Sequence, residues 1–87
     1  GHPGVADVAC IGIPHREMGE ELKALVVPMV PGERLEEGEL LSYCRERLSH
    51  HKSPRSVTLV DDLGRTSMGK IDKRKLRSPW WDEAARD

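Results

Sequence analysis

Three features of the sequence predict an α+β fold with three strands and two helices. Two short apolar segments near the N-terminus are joined by a polar connection, as in an antiparallel hairpin. An amphipathic segment in the middle of the chain has the spacing of a helix. A third apolar segment leads into a short basic helix. The 87 residues suffice for one small domain, whose core must be largely aliphatic because the chain contains no Phe.

The first two predicted strands cover residues 5–13 and 21–27. Both segments are apolar on both faces after Asp7, apart from Lys23, which is typical of interior strands. Pro14 and Pro28 are expected to end them. The six residues 15–20 would then form a polar connection that is longer than the usual hairpin turn.

The first predicted helix covers residues 36–49, after a turn at Pro31-Gly32. Acidic residues begin this segment and arginines lie near its end, an order that favours the helix dipole. Pro54 is expected to stop the chain from continuing as a helix. The apolar residues that share one face of the helix are Leu40, Leu41, Cys44 and Leu48.

The third predicted strand covers residues 57–63 and leads into a glycine-flanked turn. Asp72 is suited to cap a second helix over residues 72–77, which Ser78-Pro79 is expected to end. Trp80 and Trp81 are expected to pack back on the domain rather than stack on a base. Residues 82–87 are expected to form a frayed tail.

Composition narrows the classes of protein to consider. No apolar run approaches the roughly eighteen residues of a membrane span, and no signal-peptide pattern is found, so we expect a cytoplasmic protein. Cys10 and Cys44 lie in apolar patterns, which suggests buried thiols in a reducing compartment. A net charge of −1 argues against general nucleic-acid binding. The chain begins at Gly1 rather than Met, and we expect it to be part of a longer protein.

A basic stretch at residues 64–77 is the candidate functional site. It holds six of the fourteen Lys and Arg residues of the chain and one acid, Asp72. A concentrated positive charge on an otherwise acidic chain predicts an anion site. Gly69 lets the backbone turn tightly and removes a side chain beside Lys70, so that Lys70 can project into a neighbouring site.

Other interpretations of these residues compete with that one. The stretch could be a solvated helix start. Residues 64–70 also fit the G-x-x-x-x-G-K pattern of a phosphate-binding loop, but Ile71 replaces the hydroxyl residue that binds magnesium, and too few residues follow for a nucleotide-binding sheet. His50-His51 is not expected to bind a metal, because adjacent residues do not share a helix face.

The segment 65–77 resembles the C-terminal signature of the adenylate-forming, AMP-binding enzymes. It reads Arg-Thr-Ser-Met-Gly-Lys-Ile-Asp-Lys-Arg-Lys-Leu-Arg. These enzymes include acyl-CoA synthetases, peptide-synthetase adenylation domains and firefly luciferases. The resemblance extends over nearly the whole chain, through the motifs His2-Pro3-Gly4-Val5, Gly12-Ile13-Pro14-His15 and Gly19-Glu20. It therefore outweighs the interpretation as a solvated helix.

Three details refine this resemblance. The ending Leu76-Arg77-Ser78-Pro79-Trp80-Trp81 is more similar to fatty-acyl and aryl-CoA synthetases than to peptide synthetases. Lys52, with Pro54, matches a Lys-x-Pro that in the family serves mainly packing. At Gly64 the sequence departs from the family, which usually has Pro, and a glycine there is expected to cost backbone rigidity worth about 0.4–1 kcal/mol.

The resemblance implies that residues 1–87 form the single C-terminal domain of a larger acyl-CoA synthetase, without the upstream hinge and hairpin. It implies a small, largely antiparallel three-stranded sheet packed with helices. Lys70 would be the catalytic lysine of adenylation, and Arg65, Thr66 and Gly69 would shape the loop at the ATP and acyl-adenylate.

The implied partners are the N-terminal adenylation domain of the same chain, a carboxylic acid, ATP with Mg²⁺, and coenzyme A. No metal or cofactor is expected on this part of the chain, which should be inactive alone. Two alternatives stay open at this point: part of a peptide-synthetase adenylation domain, and a stand-alone interaction module whose basic loop binds an acidic partner. No residue of an acyl pocket is present to name the acid.

Overall fold

The computed structural model describes residues 3–47 and 53–86. Its elements follow the predicted order of two strands, a helix, a strand and a helix, and the α+β class is confirmed. The bounds are β1 (Val5–His15), β2 (Gly19–Pro28), α1 (Glu37–Arg47), β3 (Ser56–Leu59) and α2 (Lys73–Ala85). Neither helix combines the length and the apolar character needed to cross a membrane.

The three strands form one sheet in the order β1-β2-β3. β1 and β2 pair antiparallel as predicted, from His15 opposite Gly19 to Val5 opposite Pro28. β3 pairs parallel to β2, with Lys23 opposite Ser56. The sheet is therefore mixed, and its longer ladder is antiparallel. The parallel pairing arises because α1 carries the chain back along the sheet before β3 begins.

The hairpin is tighter than the sequence predicted. β1 continues through Pro14 to His15, so only residues 16–18 connect it to β2. Pro14 is tolerated because β1 is an edge strand rather than the predicted interior strand. Gly19 has φ +82°, the left-handed conformation that three-residue hairpin loops require. The ring nitrogen Nδ1 of His15 accepts hydrogen bonds from the amides of Glu17 (3.2 Å) and Met18 (3.1 Å).

The core lies on both faces of the sheet, since alternate strand residues point to opposite sides. On one face, α1 covers the sheet, and the buried residues are Ala24, Val26, Leu40 and Cys44. On the other face α2 packs through Leu76 and Trp80, and the buried residues are Ala9, Ile11, Ile13, Leu25 and Leu63. The sheet is thus enclosed between two helices. The predicted burial of Cys44 is confirmed, and Cys10 is half-buried.

The bounds of α1 and β3 in the structure differ from the predicted ones. α1 begins at Glu37, and its predicted last residues, 48 and 49, lie outside the described part of the chain. β3 begins one residue early and ends at Leu59 instead of 63. The chain leaves the sheet there because two exposed aspartates, at 61 and 62, follow, while Leu63 turns back into the core.

α2 overturns the predicted helix end at Ser78-Pro79, because the helix runs through Pro79 to Ala85. Proline removes the amide that would bond to the carbonyl of Lys75. The hydroxyl of Ser78 donates to that same carbonyl at 2.9 Å and replaces the lost bond. Residues 82–85, expected to be frayed, therefore belong to the helix, and Asp87 lies outside the described residues. Asp72 caps α2 as predicted, accepting from the amide of Lys75 at 3.1 Å.

Both tryptophans pack on the domain, as expected. Trp80 contacts the core beneath α2. The indole nitrogen of Trp81 donates to the carbonyl of Gly12 in β1 at 2.8 Å. These contacts hold the second half of α2 against the sheet, so tertiary packing maintains the helix beyond Pro79.

Lys23 is a charged side chain buried between the sheet and α2. It is 9% exposed, and its Nζ donates to Oγ1 of Thr58 on the neighbouring strand at 2.8 Å. The same ammonium lies 5.9 Å from the ring centroid of Trp80, within range of a cation–π interaction. Lys23 therefore links β2, β3 and α2 through polar contacts inside an apolar layer.

Thr58→Val should lower the free energy of unfolding by about 1–3 kcal/mol, because it removes the acceptor of a buried ammonium. The double variant Lys23→Met/Thr58→Val replaces both polar groups and should recover most of that loss. Urea denaturation of the three proteins measures the difference. A Thr58→Val protein within about 0.5 kcal/mol of the unmodified chain would show that this hydrogen bond contributes little.

Candidate functional site

The candidate site is the loop of residues 64–70, which connects the sheet to α2. On either side of it, Leu63 is buried and Ile71 packs on the same core cluster. Every residue between them is exposed. Both ends of the loop are thus fixed to the core while the loop itself projects from the surface.

Thr66 organises the interior of this loop. Its amide donates to the carbonyl of Lys70 at 2.8 Å, and its carbonyl accepts from the amide of Gly69 at 2.9 Å. Its hydroxyl accepts from the amides of Lys70 (3.1 Å) and Met68 (3.3 Å). One threonine therefore closes the turn with both its backbone and its side chain.

Two glycines give the loop its shape. Gly69 has φ +83° and Gly64 has φ +66°, and both values lie in the left-handed region. Around position 69, no heavy atom of the described residues, apart from the glycine and its two neighbours in the chain, lies within 4 Å of where a Cβ would stand. The backbone conformation, rather than lack of space within the domain, is thus what requires glycine there. Glycine at position 64 does not only lower backbone rigidity. It also permits a positive φ that the proline usual in the family could not adopt.

Arg65 connects the loop to the sheet. Its Nε and Nη2 donate to the two carboxylate oxygens of Asp7 in β1, at 2.5 and 2.8 Å. Its Nη1 donates to the carbonyl of Gly69 at 2.6 Å. The guanidinium group is therefore engaged on both sides, with the sheet and with the residue that precedes Lys70.

This ion pair shifts the ionisation of both partners. The hydrogen bonds from Arg65 lower the pKa of Asp7 below its ordinary value of 3.8, against a smaller opposing effect of burial. The same contact raises the pKa of Arg65. The side chains are 40% exposed for Arg65 and 31% exposed for Asp7, so solvent screens the pair.

Lys70 has the opposite character. Its side chain is exposed, and within the described residues 3–47 and 53–86 its ammonium has no hydrogen-bond or ion-pair partner. The exposed bases Lys73, Arg74 and Lys75 follow on the first turn of α2. The site thus presents an unpaired ammonium on a hydrogen-bonded loop, within a larger positive field that favours anions.

The structure brings all four predicted site residues, Arg65, Thr66, Gly69 and Lys70, into this one loop. Sequence reasoning missed Asp7 as their partner, although it is the only charged residue in segment 5–13. The histidines at 50 and 51 and Lys52 lie outside the described residues, as does His2. In the part of the chain that is described, no group of three or more His, Cys, Asp or Glu residues could hold a metal ion.

A family model described as the AMP-binding enzyme C-terminal domain matches residues 1–70. The chain belongs to this family. It is 47% identical, over 74 residues, to 3-[(3aS,4S,7aS)-7a-methyl-1,5-dioxo-octahydro-1H-inden-4-yl]propanoyl:CoA ligase of Mycobacterium tuberculosis. It is 41% identical, over 76 residues, to a long-chain-fatty-acid–CoA ligase of Escherichia coli. These matches cover 85% and 87% of this chain, but only 14% and 13% of the two relatives.

A solved structure agrees with these relatives. The crystal structure of Brucella canis acyl-CoA synthetase matches this domain with a TM-score of 0.79 and 31% identity, over 95% of this chain and 16% of that one. The resemblance to the acyl-CoA synthetases is confirmed, and so is the α+β fold of their C-terminal domain. The family match ends at Lys70, so it includes the whole candidate loop.

The free energy of unfolding of this domain should fall in acid, partly through Asp7. Because its pKa is lower in the folded state, the unfolded chain binds more protons between that value and 3.8, and stability there rises with pH. This contribution is present above 3.8 and is lost as the pH falls through the folded pKa. Urea denaturation between about pH 6 and pH 2 measures it.

Arg65→Gln should make the free energy of unfolding fall less steeply as the pH drops below about 4. Arg74→Gln removes an exposed charge from α2 that does not contact Asp7, and it should leave that pH dependence unchanged. Equal acid dependence in the two variants would contradict the assignment of the lowered pKa to Arg65.

Proposed function

We propose that this domain is the C-terminal part of an ATP-dependent acyl-CoA synthetase, and that Lys70 serves its adenylation half-reaction. The observation that carries the proposal is the exposed ammonium of Lys70, which has no partner among the described residues, on a loop where Arg65 and Thr66 are both engaged. Membership in the family, and relatives that are named CoA ligases, support the same assignment.

The proposed reaction has two steps. A carboxylate oxygen of the acid attacks the α-phosphorus of ATP, an acyl–oxygen–phosphorus link forms, and the bond to pyrophosphate breaks. The thiol of coenzyme A then attacks the carbonyl carbon, the bond to AMP breaks, and the thiol proton is released. The products are the acyl-CoA thioester, AMP and pyrophosphate.

Lys70 would act in the first step, where two anions must approach each other. A fully charged ammonium close to the carboxylate and the α-phosphate offsets their repulsion and stabilises the charge that develops on the phosphoryl oxygens. Lysine suits this role because its charge is compact and its stem is long and flexible. An ammonium already held by a carboxylate would be less available for this role, which is why the absence of a partner among the described residues matters.

The remaining loop residues support Lys70 rather than act on the substrate. Arg65 is engaged by Asp7 and Gly69, and Thr66 is engaged by the loop backbone. The nucleotide and acyl pockets would lie in an N-terminal adenylation domain of the same protein, so we expect this domain alone to be inactive. Mg²⁺ would enter with ATP.

The two relatives also bear on the choice of acid. Their names specify very different acyl groups, a fused-ring propanoyl acid and long-chain fatty acids, and yet both are more than 40% identical to this domain. The domain therefore supplies chemistry common to different acids, and we propose that the choice of acid is made elsewhere in the protein. We favour this function over a peptide-synthetase part or an interaction module because both relatives are named CoA ligases.

Carboxylate-dependent exchange of pyrophosphate with ATP, in the full-length protein, tests the role of Lys70. Lys70→Ala should lower the exchange rate about 10²–10³-fold across a panel of fatty, aryl and amino acids, the range expected for loss of one electrostatic contact to the transition state. The acid that supports the fastest exchange in the unmodified protein identifies the substrate class.

Lys73→Ala is the matched control, since it removes an exposed lysine three residues away at the start of α2. It should leave exchange within about twofold of the unmodified protein. Exchange that survives Lys70→Ala undiminished would remove Lys70 from the adenylation step. No exchange with any acid in the unmodified protein would remove the ligase function itself.

A further inference from the structure

We propose that Asp7 is a positioning residue for adenylation, which acts through Arg65 to fix the place of Lys70. The inference rests on the proposed function of Lys70, and it concerns a β1 residue 58 positions from Arg65. Asp7 touches neither Lys70 nor any reacting group in this assignment. Its role is to hold the loop that carries the ammonium.

The geometry forms a continuous chain of contacts from the sheet to Lys70. Both carboxylate oxygens of Asp7 accept from the guanidinium of Arg65, which is the two-point arrangement that fixes a planar fork most firmly. The third contact of that guanidinium, at 2.6 Å, is to the carbonyl of Gly69. Since Gly69 precedes Lys70 directly, movement of Arg65 would move the backbone from which Lys70 extends.

No other hydrogen bond among the described residues joins loop 64–70 to a strand. The bonds around Thr66 are internal to the loop. The amide of Gly64 bonds to the side chain of Asp62, two residues earlier in the chain. Leu63 and Ile71 anchor the ends of the loop, and Arg65 with Asp7 anchors its middle.

The ion pair between Asp7 and Arg65 is not expected to contribute much to the stability of the fold. Ion pairs between side chains this exposed contribute little to the free energy of folding, because solvent screens them and ordering the side chains costs entropy. The pair can still matter by keeping the loop ordered. An ammonium that must reach both a carboxylate and a phosphate loses much of its effect when it is displaced by about an ångström.

The two half-reactions of the full-length protein separate positioning from folding. Asp7→Asn keeps the shape of the side chain and removes its charge, and it should slow pyrophosphate exchange about 10- to 100-fold. Under the proposed function Lys70 acts only in adenylation, so the formation of thioester from supplied acyl-adenylate and coenzyme A should stay within about twofold. Asp61→Asn, a nearby exposed acid with no contact to Arg65, is the matched control and should alter neither half-reaction.

A double-variant cycle links the effect to Lys70. In a Lys70→Ala protein, Asp7→Asn should cause no further loss of exchange, because there is no ammonium left to position. Asp7→Asn and Arg65→Gln together should lose no more than the more damaging of the two alone. Asp7→Glu keeps the charge and should restore part of the rate.

Three results would overturn the inference: exchange unchanged by Asp7→Asn, equal losses in both half-reactions, or a full additional loss in the Lys70→Ala background. A failure of the proposed function is distinguishable, because it would appear as exchange that Lys70→Ala itself does not reduce.

Discussion

The need to bury both faces of a three-stranded sheet is the constraint on which the rest of this domain depends. α1 covers one face and returns the chain for a parallel third strand, and α2 covers the other. To do so, α2 must extend past Pro79 so that Trp80 and Trp81 reach the sheet. The start of α2 is thereby fixed against the core, and with it the end of the loop that carries Lys70.

Some charged side chains of this domain are held by hydrogen bonds within the fold, whereas Lys70 is left exposed to meet a substrate. Lys23 is buried and bonded to Thr58, and Arg65 is held between Asp7 and Gly69. The exposed ammonium of Lys70, beside Arg65, has no partner among the described residues, and the nearby bases of α2 carry charge of the same sign. A charged group without a partner, carried on a loop held by hydrogen bonds, is the arrangement that electrostatic stabilisation of a transition state requires.

Local sequence patterns predicted most of this fold and failed where distant contacts override local preferences. Apolar segments, helical spacing and the cap at Asp72 placed the hairpin, α1 and the start of α2 within a few residues. The helix end predicted at Pro79 was wrong, because the Ser78 hydroxyl and packing of the tryptophans compensate for the lost amide. The loop residues were predictable because the motif that carries the resemblance there, residues 65–77, is one continuous segment. Asp7 was not, since a contact across 58 residues leaves no local signal.

Hydrogen exchange at the backbone amides of Gly69 and Lys70 tests most directly whether a β1 side chain orders this loop. Both amides bond to Thr66, at 2.9 and 3.1 Å, and their protection reports how long the loop stays closed. In an Asp7→Asn protein we predict that these two amides exchange about tenfold faster while the amides of β2 keep their rates. Unchanged protection at Gly69 and Lys70 would contradict the claim that Asp7 and Arg65 hold the loop in place.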